Sequence, residues 1–306
     1  MIAYILRRLG YSVFVLWGAL TVVFVIVRVV PGDPAQLIAG PQATAADVAV
    51  LRERLGLNQP LPVQYAQYLA QVAQLDLGNS LRLNQSALGA IAERFGATAT
   101  LALSAMALAA LLSFPLGIIA AIRAGSVVDA LVSVLSLLGQ SVPSFWLGLM
   151  FILVFARGLR WLPSAGIGGW QHLLLPALTL SLPLVGVLTR LIRTGLLEVL
   201  NEEYIRTAKA KGLAPLAVLV RHALRNMFIP VITVAGLQLG QLLGGAVIVE
   251  TVFGWPGAGR LLVTAIGNRD YPVIQAGVLC ITAGFILINL LVDLSYGFLD
   301  PRIRFA

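Results

Sequence analysis

At 306 residues, with 59% hydrophobic residues, only 11% charged residues and a mean hydropathy of +0.92, the chain lies far from soluble domains, in which roughly a quarter of residues are charged. That balance calls for several membrane spans and excludes an ordinary soluble enzyme or regulator. The net charge of +8 does not point to nucleic acid, because aromatic and basic residues do not alternate along any stretch as a groove would need; positive charge gathers on the inner loops of membrane proteins instead.

In chain order, the first apolar run is Leu9–Val30, preceded by Arg7 and Arg8. It reaches the roughly 20 residues a helix needs to cross the hydrocarbon core. The following "VVPGDPA" reads as a helix stop and not as a cleavage site, so an uncleaved first span over 1–30 with its N-terminus inside is expected.

Residues 31–96 predict a small helical extracytoplasmic segment. Thr44 and Asp47 stand at capping-box spacing ahead of one helix, and Gly56 ends it. In "PVQYAQYLAQVAQL", Tyr65, Tyr68, Leu69 and Val72 share a helical face. "SALGAIAERF" predicts a third short helix leading into the second span.

Residues 97–306 carry five more candidate spans: Ala97–Ile122, Val127–Ala156, Leu173–Leu197, Ile229–Phe253 and Ala276–Leu299. The run from Val127 is long enough to be broken or strongly tilted, and "GQSVPSFW" places the break at Pro143. Pro176 and Pro183 predict kinks in the next span. Six spans put both termini inside, and the basic residues agree: twelve Lys or Arg fall in inside segments, including Arg302 and Arg304, against four in the two short outside loops. The fold class expected is an all-α membrane protein of six transmembrane helices.

The inside loop 199–229 holds a basic island within Glu203–Pro230, with Arg206, Lys209, Lys211, Arg221, His222 and Arg225. "EEYIRTAKAK" predicts a helix that Gly212 ends in a left-handed turn. Pro215 suits the first turn of a second, short helix. There Leu216, Leu219, Val220 and Ala223 follow i, i+3, i+4, i+7 spacing and form an apolar stripe. Such an element either lies on anionic headgroups of the membrane lipid or docks its stripe in the groove of a protein partner.

The island resembles the cytoplasmic loop of the membrane subunits of ATP-binding-cassette importers, whose signature is Glu-Ala-Ala, three residues, Gly, nine residues, Ile-x-Leu-Pro. Aligned on Gly212, Arg206, Thr207 and Ala208 stand at the Glu-Ala-Ala positions, and His222, Leu224 and Arg225 at those of Ile, Leu and Pro. Ala208, Gly212 and Leu224 match, and the departures resemble the peptide and nickel branch, where "YIRTAKAKGL" and "RHALRNMFIPVIT" are the expected wording. "RRLGYSVFVLWGALTVVFVIVRVVPGDPA", "LGLNQPLPVQY" with "LDLGNS", and "VETVFGWPGAGRLLVTAIGNRDYPVIQAGVL" look like the same branch, and "LIAGP" after the first span looks like its permeases for dipeptides and glutathione.

The resemblance implies a MetI-like permease bundle in a bacterial inner membrane. It implies a second homologous permease subunit, two cytoplasmic ATPase subunits carrying ATP and Mg, and an extracytoplasmic substrate-binding protein. ATPase coupling would fall to Arg206, Thr207, Ala208, Lys209, Lys211, Gly212, Leu216, Leu219, Val220, Arg221 and Leu224, with short peptides or glutathione as cargo and a nickel chelate as the alternative.

The residues themselves agree with this division of labour. No G-x-x-x-x-G-K-[ST] occurs, so nucleotide falls to another chain, and "GWPGAGR" lacks the lysine and reads as a packed re-entrant loop. Gly236, Gly240 and Gly244 form a small-residue stripe for close helix packing, against a partner or a neighbouring span. Gln140, Ser141, Thr179, Ser181, Gln238 and Gln241 are candidates to line a polar path, or else to hydrogen-bond between helices. Arg28, Arg190, Glu250 and Asp293 lie near span ends and read as anchors. An ion-coupled carrier would need a carboxylate relay and an internal repeat, and an intramembrane hydrolase would need a dyad or metal spacing. His172, His222 and the single Cys280 are too scattered to supply either.

Overall fold

The computed structural model describes residues 2–29, 35–36, 43–54, 56–80 and 82–299. The exit of the first span at 30–34, the "LIAGP" stretch and the basic residues Arg302 and Arg304 lie outside them. Among the described residues the regular secondary structure is helical except for one tiny hairpin. Five helices are long and apolar enough to cross a membrane, and a bent pair makes a sixth candidate.

By its internal packing the chain divides into two units. The first joins Ile2–Thr98 to Pro256–Gly284. Its helices are α1 (Ile2–Val29), α2 (Ala45–Arg54), α3 (Leu61–Ala73), the start of α4 (Ala87–Ile122), and two near the chain's other end. At the head of α2 the Thr44 N–H and hydroxyl both donate to Asp47 Oδ2, at 3.0 and 2.7 Å, and the Asp47 N–H donates back to Thr44 Oγ1 at 3.3 Å. The expected capping box is therefore made, and the Thr44 donors hold the Asp47 carboxyl below its ordinary 3.8.

Gly56 ends α2 at φ +65, with Gly56 N–H to Glu53 C=O and Leu57 N–H to Arg52 C=O, the bond pair of a Schellman turn. Tyr68 of α3 is buried against Leu20 and Phe24 of α1 and Ile91 of α4, with Tyr65, Leu69 and Val72 packed around the same cluster, so the predicted face is the one that faces inward. Burial pushes the Tyr68 phenol up to about 12.

One expectation fails in this unit. "SALGAIAERF" is no separate helix: it is the first turns of the 36-residue α4, because no proline or cap separates it from the span. Before it, the two-residue strands Asn79–Ser80 and Gln85–Ser86 pair antiparallel, too short for any alternation to reveal. In "GWPGAGR" the packed loop expected is the short stretch 254–257, with Trp255 buried, and Ala258 then opens an amphipathic helix, Ala258–Asn268, that buries Ala258, Leu261 and Ala265 in the same cluster and whose Ala258 N–H bonds Thr98 Oγ1 at 2.9 Å.

The second unit joins Ala99–Trp255 to Phe285–Ala306. Here α5 (Val127–Ser141) and α6 (Ser144–Phe151, continued as a π-helical segment to Gly158) are the expected broken span, bent by 102°. Pro143 explains the break: it has no N–H to give the helix and biases Val142 to the extended conformation observed, φ −82 and ψ 125. The central element is α7 (Trp170–Leu200), the most buried of the candidate spans. It runs through both Pro176 and Pro183 as one helix, a tolerance common in membrane helices.

Three glycines let neighbours press onto α7. A Cβ on Gly186 would lie 2.2 Å from Ser136 O of α5, one on Gly117 of α4 would lie 2.7 Å from Ile192, and one on Gly148 would lie 3.1 Å from Phe253 and 3.5 Å from Thr179. After α7 come α8 (Glu203–Ala210), the loop below, α9 (Arg225–Val252) and, past the first unit's Ala258–Asn268 helix (α10), the last helix α11 (Tyr271–Leu299).

Candidate coupling loop and polar groove

Helix α8 is short and half-committed to the body of the protein. Ile205 and Ala208 are buried, while Arg206, Thr207 and Lys209 face outward. Its end is a second Schellman turn: Leu213 N–H donates to Ala208 C=O at 3.3 Å and Gly212 N–H to Lys209 C=O at 3.0 Å, with Gly212 at φ +77. The predicted left-handed glycine is thus the pivot of the loop.

The second helix departs from expectation. Pro215–Ala217 starts it, but Val218–Leu224 winds as π-helix and passes without a break into α9, giving one helical rod from Pro215 to Val252 of 38 residues. No short free helix exists. The π-turn also redistributes the expected stripe: Val218 and Ala223, five residues apart, turn inward at 1% and 0% exposure, Leu219 and Leu224 are half-buried, and Leu216 and Val220 stand outward at 71% and 54%. A straight 3.6-residue repeat would have put Ala223 with Leu216 and Val220. Leu213 and Tyr204 extend the outward apolar surface, and the Asn226 amide ties α9 to α8 by donating to Tyr204 Oη at 2.8 Å. Around it Arg206, Lys209, Lys211, Arg221 and Arg225 are all exposed and make no ion pair among the described residues. The arrangement is an apolar ridge in a ring of free cations.

The polar-path candidates divide. Thr179 and Ser181 are wholly buried, and their hydroxyls return to their own helix, at Leu175 C=O (2.8 Å) and Leu178 C=O (3.0 Å), so neither meets an open surface of this chain. Ser141 is exposed but likewise bonds back, to Leu137 C=O at 2.9 Å. Gln241 is exposed and Gln238 half-buried. Gln140 is different: its Oε1 accepts from Arg190 at 3.1 Å, joining α5 to α7. Of the glycine stripe, Gly236 and Gly240 pack on α11, where a Cβ would meet Val292 at 2.2 Å and Phe285 at 3.0 Å, whereas Gly244 faces open space.

Of the four anchor candidates, Arg28 lies over the Phe24 ring (3.6 Å to its centroid) and bonds Gln64 Oε1 at 3.0 Å, and Glu250 and Asp293 are buried. One pair escaped the sequence reading. Asp129, at the head of α5, takes two bonds from the Arg193 guanidinium of α7, at 2.5 and 2.7 Å, and a third from the Gly125 N–H at 2.9 Å. Ser126, its N-cap, stands three residues before Asp129, so the Ser-x-x-Asp spacing was the signal available.

Five long apolar helices and one broken candidate span, with a cationic helix–turn–helix face, define a polytopic membrane protein. The chain belongs to the family of binding-protein-dependent transport system inner membrane components: that family's model matches residues 113–305, and the model of its N-terminal region matches residues 1–102. It is 45% identical over 305 residues to the glutathione transport system permease protein GsiC of Salmonella typhimurium and 44% to that of Escherichia coli, covering all of each chain. Two solved structures share the fold. One is the methionine ABC transporter MetNI in inward-facing form (TM-score 0.58, 16% identity, 69% of this chain and 96% of that one). The other is an amino acid ABC transporter solved with histidines (TM-score 0.53, 12% identity, 76% and 98%).

Proposed function

We propose that this chain is one half of the pore of an ATP-driven importer of glutathione or closely similar short peptides. It pairs with a second, related permease subunit, stands on two cytoplasmic ATPase subunits and receives cargo from an extracytoplasmic binding protein. The full-length identity to glutathione permeases supports the cargo. The observation that carries the mechanism is the outward ridge of Leu213, Leu216 and Val220, set among exposed cations that make no ion pair among the described residues. Docking into a groove needs both an apolar knob and charges that set register, and this loop presents both.

The continuous rod gives the coupling its physical route. A push on Leu216 when the ATPase pair closes on ATP travels along Pro215–Val252, which stays one helix through its π-turn and Pro230, on the order of 55 Å at the rise of an α-helix. The spans then rock between inward-open and outward-open states. The test is copurification of ATPase subunits with the membrane chain, expressed with its neighbouring genes, together with uptake of labelled glutathione into vesicles. Leu216→Asp and Gly212→Pro should each abolish association while the membrane chain stays folded. Retained association in both, or uptake of a nickel chelate in place of glutathione, overturns the reading.

A further inference from the structure

A pocket of about 250 Å³ opens between α5 and α7, just beyond the crossing where Gly186 meets Ser136. Ser133, Ser136 and Gln140 line it from α5, and Thr189, Arg190 and Arg193 from α7. Its two arginines are not equivalent. The charge of Arg193 is cancelled by the two-bond pair with Asp129. Among the described residues Arg190 has only the neutral Gln140 amide as its side-chain partner, so the pocket carries one uncompensated and exposed positive charge in the later part of a candidate span. An exposed guanidinium with no carboxylate beside it is a ready partner for an anion. A second observation points the same way: the Thr189 hydroxyl in this wall is buried with no hydrogen-bond partner among the described residues. Buried polar groups in finished protein are nearly always satisfied.

We propose that this pocket is a subsite for a carboxylate of the cargo, held by the Arg190 guanidinium with Gln140 as the group that orients it. The size suits this role, being below the roughly 300 Å³ at which pockets take a whole small molecule, so one end of a peptide enters and the rest stays outside. A guanidinium offers two parallel donors to a carboxylate, and the Gln140 contact leaves the remaining nitrogens free to make them. A lipid phosphate has the same oxyanion chemistry, and the experiment separates the two. The inference rests on the import of glutathione proposed above.

The assembled transporter is reconstituted with its binding protein in vesicles of neutral lipid, and uptake of glutathione is compared with that of its glycine monoethyl ester. Because one binding protein delivers to every variant, the acid-to-ester ratio of each variant relative to wild type isolates this chain. Arg190→Gln should lower that ratio at least tenfold, Gln140→Leu about threefold, and Arg190→Lys, which keeps the charge but loses the paired donors, should fall between wild type and Arg190→Gln. An unchanged ratio in Arg190→Gln, with uptake retained, overturns the subsite. So does a ratio that differs from wild type only once phosphatidylglycerol is added, which assigns the pocket to a lipid headgroup. Absence of glutathione uptake by the wild-type assembly is a separate result, and it sinks the function and the subsite with it.

Discussion

Single glycines decide where these helices can touch. At Gly186 the obstacle to a side chain is the backbone oxygen of Ser136, 2.2 Å from the Cβ position, and backbone cannot step aside. At Gly236 the obstacle is the Val292 side chain, and at Gly244 there is none. Alanine at the three positions should therefore destabilise in that order. Overpacking of this kind costs roughly 1–3 kcal/mol, so Gly186→Ala should visibly lower the melting temperature of the detergent-solubilised chain while Gly244→Ala leaves it unchanged. Equal melting temperatures for the two would show that α5 and α7 do not cross where Gly186 places them.

At the scale of elements, the α5–α7 pair is held by that crossing and by the Asp129–Arg193 contact. Asp129 is 7% exposed at its side chain and Arg193 27%, so truncating either leaves a partly buried charge without its partner. Asp129→Leu should cost about 1–3 kcal/mol, the partial exposure of Arg193 reducing the full buried-pair penalty. Asp129→Leu with Arg193→Leu should recover part of that loss, measured as a double-mutant cycle in thermal unfolding. A double variant worse than the sum of the singles would make the pair more than an anchor between two helices.

Long elements were readable in the sequence because twenty apolar residues and a proline leave little choice: the break at Pro143, the Thr44–Asp47 cap and the Gly212 turn all follow from local chemistry. What was not readable depends on register or on distant partners. The π-turn over Val218–Leu224 has no composition of its own, so the outward ridge was assigned to Ala223 as well as Leu216. Thr179 and Ser181 looked like a polar lining because nothing local says which side of α7 other helices cover. The Asp129–Arg193 pair spans 64 residues, beyond any helical period.

For the whole molecule, the decisive property is which way it faces, and the argument for it is electrostatic. The basic residues of short loops stay on the side from which the chain is inserted. Around the apolar ridge stand Arg206, Lys209, Lys211, Arg221 and Arg225, within two turns of Gly212 or along the rod that follows it, all exposed. The hairpin turn at Arg82 belongs to a long segment, which crosses whatever its charge. With Cys280 replaced by alanine there is no competing thiol. Lys211→Cys should then react with a membrane-impermeant maleimide only in inverted vesicles, and Arg82→Cys only in intact cells stripped of their outer membrane. The opposite labelling would place the ridge outside, where no ATPase could meet it, and would end the coupling role of Gly212 and Leu216 even if both residues proved essential for uptake. Labelling from the expected sides leaves the cations of the ridge facing the compartment that holds ATP, the one arrangement in which a push on Pro215–Val252 can be driven by hydrolysis.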